Sequence, residues 1–375
     1  MTNNDWCEFL GRPPVKTDAS GWKSANVGKA VLVTGAGGSI GSHLARAIFE
    51  SQPRELILLD SSEQNLHRIC TDLAALSREA TITAVLADVC DAAALKDVFE
   101  GRCVEIVYHA AAFKHVPLLE FNPLAAIRNN AMGTYVLAKA AAGCEVAQLL
   151  AISTDKAANP RSVLGASKRI AELVLRGLSN STTRMNSIRF GNVLGTAGSV
   201  VPRFIEQIAQ GGPVAVTHAE ARRYFLTIDE SLELVKAAAS CPEGGNVFVP
   251  EMGEPIKIVE LAEYLIRKAG FAPREEIAIE FVGLRPGDKM EEELVAPHER
   301  REGKIGGCLY RLNTQKISAR EVHDFAANLL KHLERRDVPA LIESVCRIVP
   351  EYQSSKELLA SLNLNSSACS AASHS

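Results

Sequence analysis

The feature that most restricts this fold is one uninterrupted run. Ala30-Val31-Leu32-Val33 is an apolar strand. It leads into Thr34-Gly35-Ala36-Gly37-Gly38-Ser39-Ile40-Gly41, and an amphipathic helix from Ser42 to Ser51 follows. Strand, glycine-rich turn and helix in succession are the setting that a dinucleotide fingerprint requires. Gly35 permits the tight turn, Gly38 lets backbone approach a pyrophosphate, and Gly41 lets helix and strand pack closely. With Ser39 and Ile40 at the helix start, the phosphates would meet free N–H groups and the positive end of the helix dipole.

The chain repeats this rhythm. Leu56 to Leu59 reads as a second strand ending in Asp60, with Ser61 and Ser62 after it. A carboxylate there can bond both ribose hydroxyls of an adenosine and repels a 2′-phosphate. No Arg or Lys stands beside it, which favours NAD, with NADP as the other possibility. Ile82 to Leu86 is a third strand, after which Asp88 and Val89 are placed to reach the adenine. Val104 to Tyr108 is a fourth. It opens into His109-Ala110-Ala111-Ala112, small residues against which a cofactor can lie, with His109 read as packed. A helix from Pro123 to Cys144 carries Asn129, Asn130 and Thr134. Polar groups inside an apolar helix need partners, and Asn130 is expected to bridge backbone or water behind the site.

The chemistry concentrates in Ile152-Ser153-Thr154-Asp155-Lys156 and the helix that follows from about Ser162. Leu149 to Ile152 is a buried strand, so Thr154, Asp155 and Lys156 project beyond its carboxyl end, where ligands of parallel sheets sit. Lys168 lies one helical turn beyond Leu164 and shares its face. Short-chain dehydrogenases carry Tyr and Lys at that spacing; here the Tyr position holds Leu164. Asp155, directly or through the Thr154 hydroxyl or a water, is the candidate to replace the phenol. Lys156 can act as a base if burial and neighbouring cations lower its pKa toward neutrality.

Ser187 to Phe190 is a sixth strand, ending at Asn192. Strands alternating with helices imply an α/β fold, a Rossmann-type doubly wound parallel sheet. Beyond Asn192 the rhythm gives way to loops bearing Gly, Pro and Arg, which define a smaller C-terminal substrate-binding subdomain. The expected division is 1–27 as a linker-like irregular segment and 28–192 as the NAD(P)-binding domain, with 225–250 returning to it. Residues 193–224 and 251–315 form the substrate-binding subdomain, 316–362 C-terminal helices, and 363–375 a disordered tail. Arg223 and Arg285, isolated cations in irregular segments, suit a diphosphate.

A net charge of −3 gives no bulk attraction to nucleic acid. No run approaches the ~18 apolar residues of a membrane span. Nine Cys without a Cys-x-x-Cys pair, and no apolar leader, fit a reducing cytoplasm. Nine His without a His-x-x-x-His pair make a metal site unexpected.

The segments Thr34-to-Ser42, His109-to-Pro117, Asn129-to-Thr134, Ser153-to-Lys168, Arg189-to-Gly195, Arg223-to-Thr227 and Gly283-to-Leu294 together resemble the CapD-like polysaccharide-biosynthesis proteins. These are nucleotide-sugar 4,6-dehydratases of the extended short-chain dehydrogenase/reductase superfamily. Leu10-Gly11-Arg12-Pro13-Pro14-Val15 looks like the linker that joins membrane and catalytic halves in long members, so the chain reads as a soluble member or an excised catalytic portion. The resemblance implies NAD(P) at Gly35, Gly38 and Gly41, and a UDP-N-acetylhexosamine substrate, usually UDP-N-acetylglucosamine. It implies Asp155 and Lys156 as acid and base, and Lys168 as the nicotinamide-ribose ligand. Lys114, Asn192, Arg223, Arg285 and Glu292 would hold the nucleotide sugar. Expected partners are a UDP-sugar and further copies of the chain. Two positions depart from the pattern: Leu164 replaces the Tyr, although long members often carry Met there, and Asp288 replaces a Glu. Two rival readings are a 4-epimerase or reductase on the same scaffold, and a binding module without catalysis.

Overall fold

The computed structural model describes residues 3–17, 20–76 and 80–362. Six segments form parallel strands: β1 (Ala30–Thr34), β2 (Glu55–Asp60), β3 (Thr81–Leu86), β4 (Ile106–His109), β5 (Gln148–Thr154) and β6 (Arg184–Phe190). Three more join the same sheet: β7 (Val247–Pro250), β8 (Arg300–Ile305) and β9 (Leu309–Asn313). The order is β8-β9-β7-β6-β5-β4-β1-β2-β3. Strands β1 to β7 pair in parallel, and the β8–β9 hairpin adds antiparallel to β7.

All five residues of β1 are buried, as expected of a parallel strand covered on both faces. Alternate side chains feed two cores. Leu32 joins Ile57, Leu149 and Leu164 on one face. Val31 and Val33 join Leu44, Leu56 and Phe248 on the other. The chain reverses its winding direction between β1 and β4, which opens a crevice at their carboxyl ends. A third apolar cluster, with Phe204, Val216, Phe225 and Leu265, forms the smaller subdomain beyond that crevice.

Three segments differ from the sequence reading. The N-terminal region is not an irregular linker: Asn3–Leu10 and Ser20–Asn26 are helices. Trp6 and Phe9 are three residues apart and so share a helical face. Trp6 is buried in the third cluster, and the Phe9 ring packs 6.0 Å from Phe225 and 5.1 Å from Tyr264. Arg12 pairs with Glu230, pinning the following turn to the body. Secondly, residues 300–313, assigned from sequence to the substrate subdomain, extend the central sheet instead, because β9 completes the open edge of β7. Thirdly, the helix from Pro123 contains a π-helical segment, Ile127–Met132. Such widened turns absorb an extra residue and often mark functional sites; here Asn130 lies in it and bonds the Phe113 backbone beyond β4. The helices Ala319–Arg335 and Val338–Ile348 contribute Val322, Leu329, Leu341 and Val345 to the first core. The expected tail, 363–375, lies outside the described residues.

Candidate active site

A cavity of about 950 Å³ occupies the crevice. Its floor is the first turn, where Gly38, Ser39, Ile40 and Gly41 line the wall. Gly41 has no alternative: a Cβ there would lie 2.0 Å from the Gly35 carbonyl oxygen. The helix Ser39–Glu50 starts at Gly38 with no side chain capping its N–H groups. Those donors therefore remain available to an anion, which is what a pyrophosphate needs. Gly35 lies beneath this wall, as does Ala111, while Ala110 and Ala112 are on it.

The adenosine end is more constrained than its sequence suggests. Asp60 Oδ2 accepts from the Gly37 N–H at 2.9 Å, and Oδ1 from the Ser62 N–H at 2.9 Å. The carboxylate is buried and ties the glycine turn to the end of β2. Ser61 is exposed; Asp88 is exposed and accepts from the Cys90 N–H, and Val89 is buried. None of these four lines the cavity, whereas Asn65 and Arg68 do. Arg68 donates to the Gly37 carbonyl at 3.1 Å and to Asn65 Oδ1 at 3.3 Å. Arg68 lies six residues beyond Ser62, and the helix Glu63–Ala74 brings it back to the cavity.

Behind the β4 loop, Asn130 Oδ1 accepts from the Phe113 N–H, while its Nδ2 donates to the Phe113 carbonyl and to Ser167 Oγ. His109 sits between Thr34 and Thr134, fully enclosed. Burial, with the charge of Lys168 beyond it, lowers its pKa to about 3, so the ring is neutral.

The carboxyl end of β5 supplies the reactive groups. Thr154 and Lys156 line the cavity, and Asp155 lies fully buried just beneath them. Thr154 Oγ1 and Lys156 Nζ both donate to Asp155 Oδ1 at 2.9 Å. The hydroxyl thus stands between Asp155 and the cavity. The turn after Lys156 is held against the next helix: a Cβ on Gly165 would lie 2.2 Å from the Lys156 carbonyl oxygen. Leu164 and Lys168 face the cavity together from that helix. Burial lowers the Lys168 pKa to about 8, against a partial upward pull from Glu172.

Lys156 corrects an expectation. Burial alone would lower its pKa, but the charges of Asp155 and Glu292 outweigh that and raise it. Its neighbours are anions as well as cations, so the resting amine holds its proton.

Lys114, Asn192, Arg223 and Arg285 also line the cavity. Lys114 Nζ donates to the Ala197 carbonyl at 2.6 Å. Asn192 Oδ1 accepts from Lys156 at 3.4 Å. Arg223 donates to the carbonyls of Arg222, Lys289 and Met290, and half-exposed Arg285 pairs with Asp288 at 2.9 Å. Glu292 is not on the wall. It is buried behind Lys156, 3.7 Å from Nζ, and 3.8 Å from Arg223 Nε.

Below the site lies a charge cluster that sequence reading did not assemble. Arg189, fully buried in β6, donates twice to Glu172 and twice to Glu299. Arg169 adds contacts to both carboxylates, and Ser153 donates to Glu172 at 2.6 Å. A charged residue inside an apolar strand was the available signal, since such a group requires a partner. Among the described residues no group of three His, Cys, Asp or Glu could hold a metal ion, and no helix is long and apolar enough to cross a membrane.

A parallel sheet wound in this order, with a glycine turn at the switch point and Leu164 and Lys168 on the helix beside it, is a Rossmann-type dinucleotide-binding fold. Residues 31–313 match the family described as polysaccharide biosynthesis protein, and the chain belongs to that family. It is 44% identical over 331 residues to the capsular polysaccharide biosynthesis protein CapD of Staphylococcus aureus, covering 88% of this chain and 55% of that protein. The chain spans about half the length of the first curated relatives it matches. It is 28% identical to an inverting UDP-N-acetylglucosamine 4,6-dehydratase of Campylobacter jejuni, over 90% of this chain and 98% of that one. DesIV of Streptomyces venezuelae, a dTDP-glucose 4,6-dehydratase crystallised with NAD, shares the fold at a TM-score of 0.63 and 22% identity, covering 80% of this chain and 97% of DesIV.

Proposed function

We propose that the chain converts a UDP-N-acetylhexosamine, UDP-N-acetylglucosamine first among them, into a 4-keto-6-deoxy sugar nucleotide with bound NAD, for surface polysaccharide synthesis. The observation that carries this reading is Thr154, Asp155 and Lys156 hydrogen-bonded together at the end of β5, beside a cavity floored by an uncapped helix start. The names of the Campylobacter and Staphylococcus relatives agree with it.

The uncapped N–H groups would hold the dinucleotide's phosphates, and Lys168 its nicotinamide ribose. NAD held there would supply the hydride acceptor and donor for the sugar ring, beside Thr154 and Lys156. The chain's own residues move the protons. Thr154 Oγ1 faces the cavity and donates to Asp155 Oδ1, so the carbon-4 hydroxyl proton passes through Thr154 to Asp155. Asp155, now protonated, gives that proton to the departing carbon-6 hydroxyl. Lys156 removes the acidified carbon-5 proton and later protonates that carbon again. The carbon-4 hydroxyl proton leaves in the water and carbon 5 regains a proton, so the residues end as they began. Leu164 contributes shape only.

Incubation with UDP-N-acetylglucosamine and mass spectrometry of the product tests the reading. Loss of one water supports it. An unchanged mass with a new epimer assigns the site to epimerisation, and binding without turnover of any sugar nucleotide, NAD or NADP supplied, makes it a binding module. The dinucleotide released on denaturation identifies the cofactor, and recovery of NADP would point to Arg68 as the 2′-phosphate ligand.

A further inference from the structure

The structure leaves a gap in that proton sequence. Lys156 must present a free amine to carbon 5, yet two carboxylates surround its ammonium. Asp155 Oδ1 lies 2.9 Å from Nζ and Glu292 Oε1 3.7 Å from it. Asp155 is already committed, because it carries the proton from carbon 4 when carbon 5 is attacked. Glu292 remains. We propose that Glu292 takes the proton from Lys156 Nζ and thereby frees the amine, resting on the dehydratase reading above.

Three observations support this. Glu292 is 97% buried, and its Oε2 has no hydrogen-bond partner; Asp155 Oδ2, fully buried, has none either. Each carboxylate therefore has an oxygen able to carry a proton without breaking an existing bond. The segment is also fixed in place. Arg222 N–H donates to the Met290 carbonyl at 2.8 Å, Lys289 Nζ to the Ala158 carbonyl at 3.0 Å, and Asn159 Nδ2 to Glu293 at 3.2 Å. Glu292 is thus clasped to both the turn after Lys156 and the Arg222–Arg223 strand. Finally, three cations and one further carboxylate surround Glu292. Glu292 faces Lys156 and Asp155 from β5 and its turn, Arg223 at 3.8 Å, and Lys289 at 3.9 Å. Burial and the neighbouring Asp155 raise its pKa above the ordinary carboxyl value, although the three cations pull the other way.

The step is neutralising. The N–H bond of the Lys156 ammonium breaks, an O–H bond forms on Glu292, and the pair changes from two ions to two neutral groups. Lys156 then takes the carbon-5 proton as a free amine. When it gives that proton back, Glu292 returns its own. Glu292 acts through Lys156 and does not touch the sugar, so it is a positioning residue.

The test uses the full chain labelled with carbon-13 at the lysine ε carbons, with Lys156→Met only to assign the signal. The expected result is a small step in the Lys156 signal as Glu292 titrates, above the ordinary carboxyl range, absent in Glu292→Gln. In turnover, Glu292→Gln should lower kcat by about 100-fold and remove the acid limb of the kcat profile. Affinity for UDP should stay within about threefold, since Arg223 keeps its three carbonyl partners, and Glu292→Asp should recover part of kcat. An unchanged kcat profile in Glu292→Gln, or a loss confined to UDP affinity, would overturn the proposal. If the variants do not fold, the unmodified protein decides: no lower step at Lys156 refutes the shared proton. If no sugar nucleotide is turned over, the dehydratase reading fails, while the lysine titration still reports separately on proton sharing.

Discussion

Replacing Glu299 by Gln should destabilise the fold by about 3 kcal/mol at neutral pH. Glu299 receives Arg189 through two hydrogen bonds of 2.6 and 2.9 Å, with Arg169 at 3.5 Å and the Ala296 N–H at 2.9 Å. Burial alone would raise its pKa. The charge and hydrogen bonds of Arg189 overcome that and take it from 4.5 to about 2. At about 1.4 kcal/mol for each tenfold change, that shift favours the ionised form by about 3 kcal/mol. Removing one partner of a buried pair typically costs about 3–5 kcal/mol, because the other charge is left uncompensated. Glu172 still faces Arg189, which keeps the expected loss at the lower end. The folded pKa lies below the unfolded one, so the unfolded chain binds the extra proton between them. The contribution is complete above 4.5 and disappears as pH falls through about 2. Urea unfolding of both proteins at several pH values is the assay. The stability gap should be widest near neutrality and close toward pH ~2 as the wild-type carboxyl protonates. A gap below about 1 kcal/mol at neutral pH, a size typical of exposed pairs, or one that does not depend on pH, would refute the reasoning.

Other outcomes follow from the same geometry. Gly41→Ala forces a Cβ to 2.0 Å from the Gly35 oxygen, so the turn must open, and calorimetry should show dinucleotide binding lost. Asp155→Asn should lower the first oxidation by about 100-fold or more, whereas Lys156→Met should let reduced nicotinamide accumulate without loss of water; stopped-flow absorbance separates them, and unimpaired oxidation in Asp155→Asn would move the base to Thr154 or a water. Lys168, lowered to about 8, loses its charge as pH rises through that value. Affinity for the dinucleotide should therefore fall across that range in the wild type and stay flat in Lys168→Met, as followed by fluorescence titration.

The winding of the sheet was legible because buried parallel strands are apolar throughout and the glycine turn marks the first of them. The reactive trio was legible because β5 ends where Thr154 begins to project. What sequence hid were groups brought together from distant segments. The resemblance implied Glu292 as a nucleotide-sugar ligand, but its place behind Lys156, more than a hundred residues earlier, comes only from the pairing of residues 289–291 with the Arg222–Arg223 strand. The sign of the Lys156 shift was hidden for the same reason: neighbours in sequence reveal Asp155 but not Glu292. Trp6 and Phe9 were overlooked because a short polar helix has little pattern of its own, and its stability comes from the surface it covers. The hairpin Arg300–Asn313 was misassigned because most of β8 is exposed and polar, leaving no apolar alternation to announce a strand.

The central claim is that the groups at the end of β5 eliminate water from a nucleotide sugar and do not simply invert or bind it. The most direct measurement is the mass of UDP-N-acetylglucosamine after incubation with the purified chain and NAD in deuterated water. The account predicts a product that has lost one water and gained deuterium at carbon 5, because the Lys156 amine is deuterated by the solvent before it takes the carbon-5 proton and can return a deuteron in its place. A product of unchanged mass with inverted carbon 4 would contradict it.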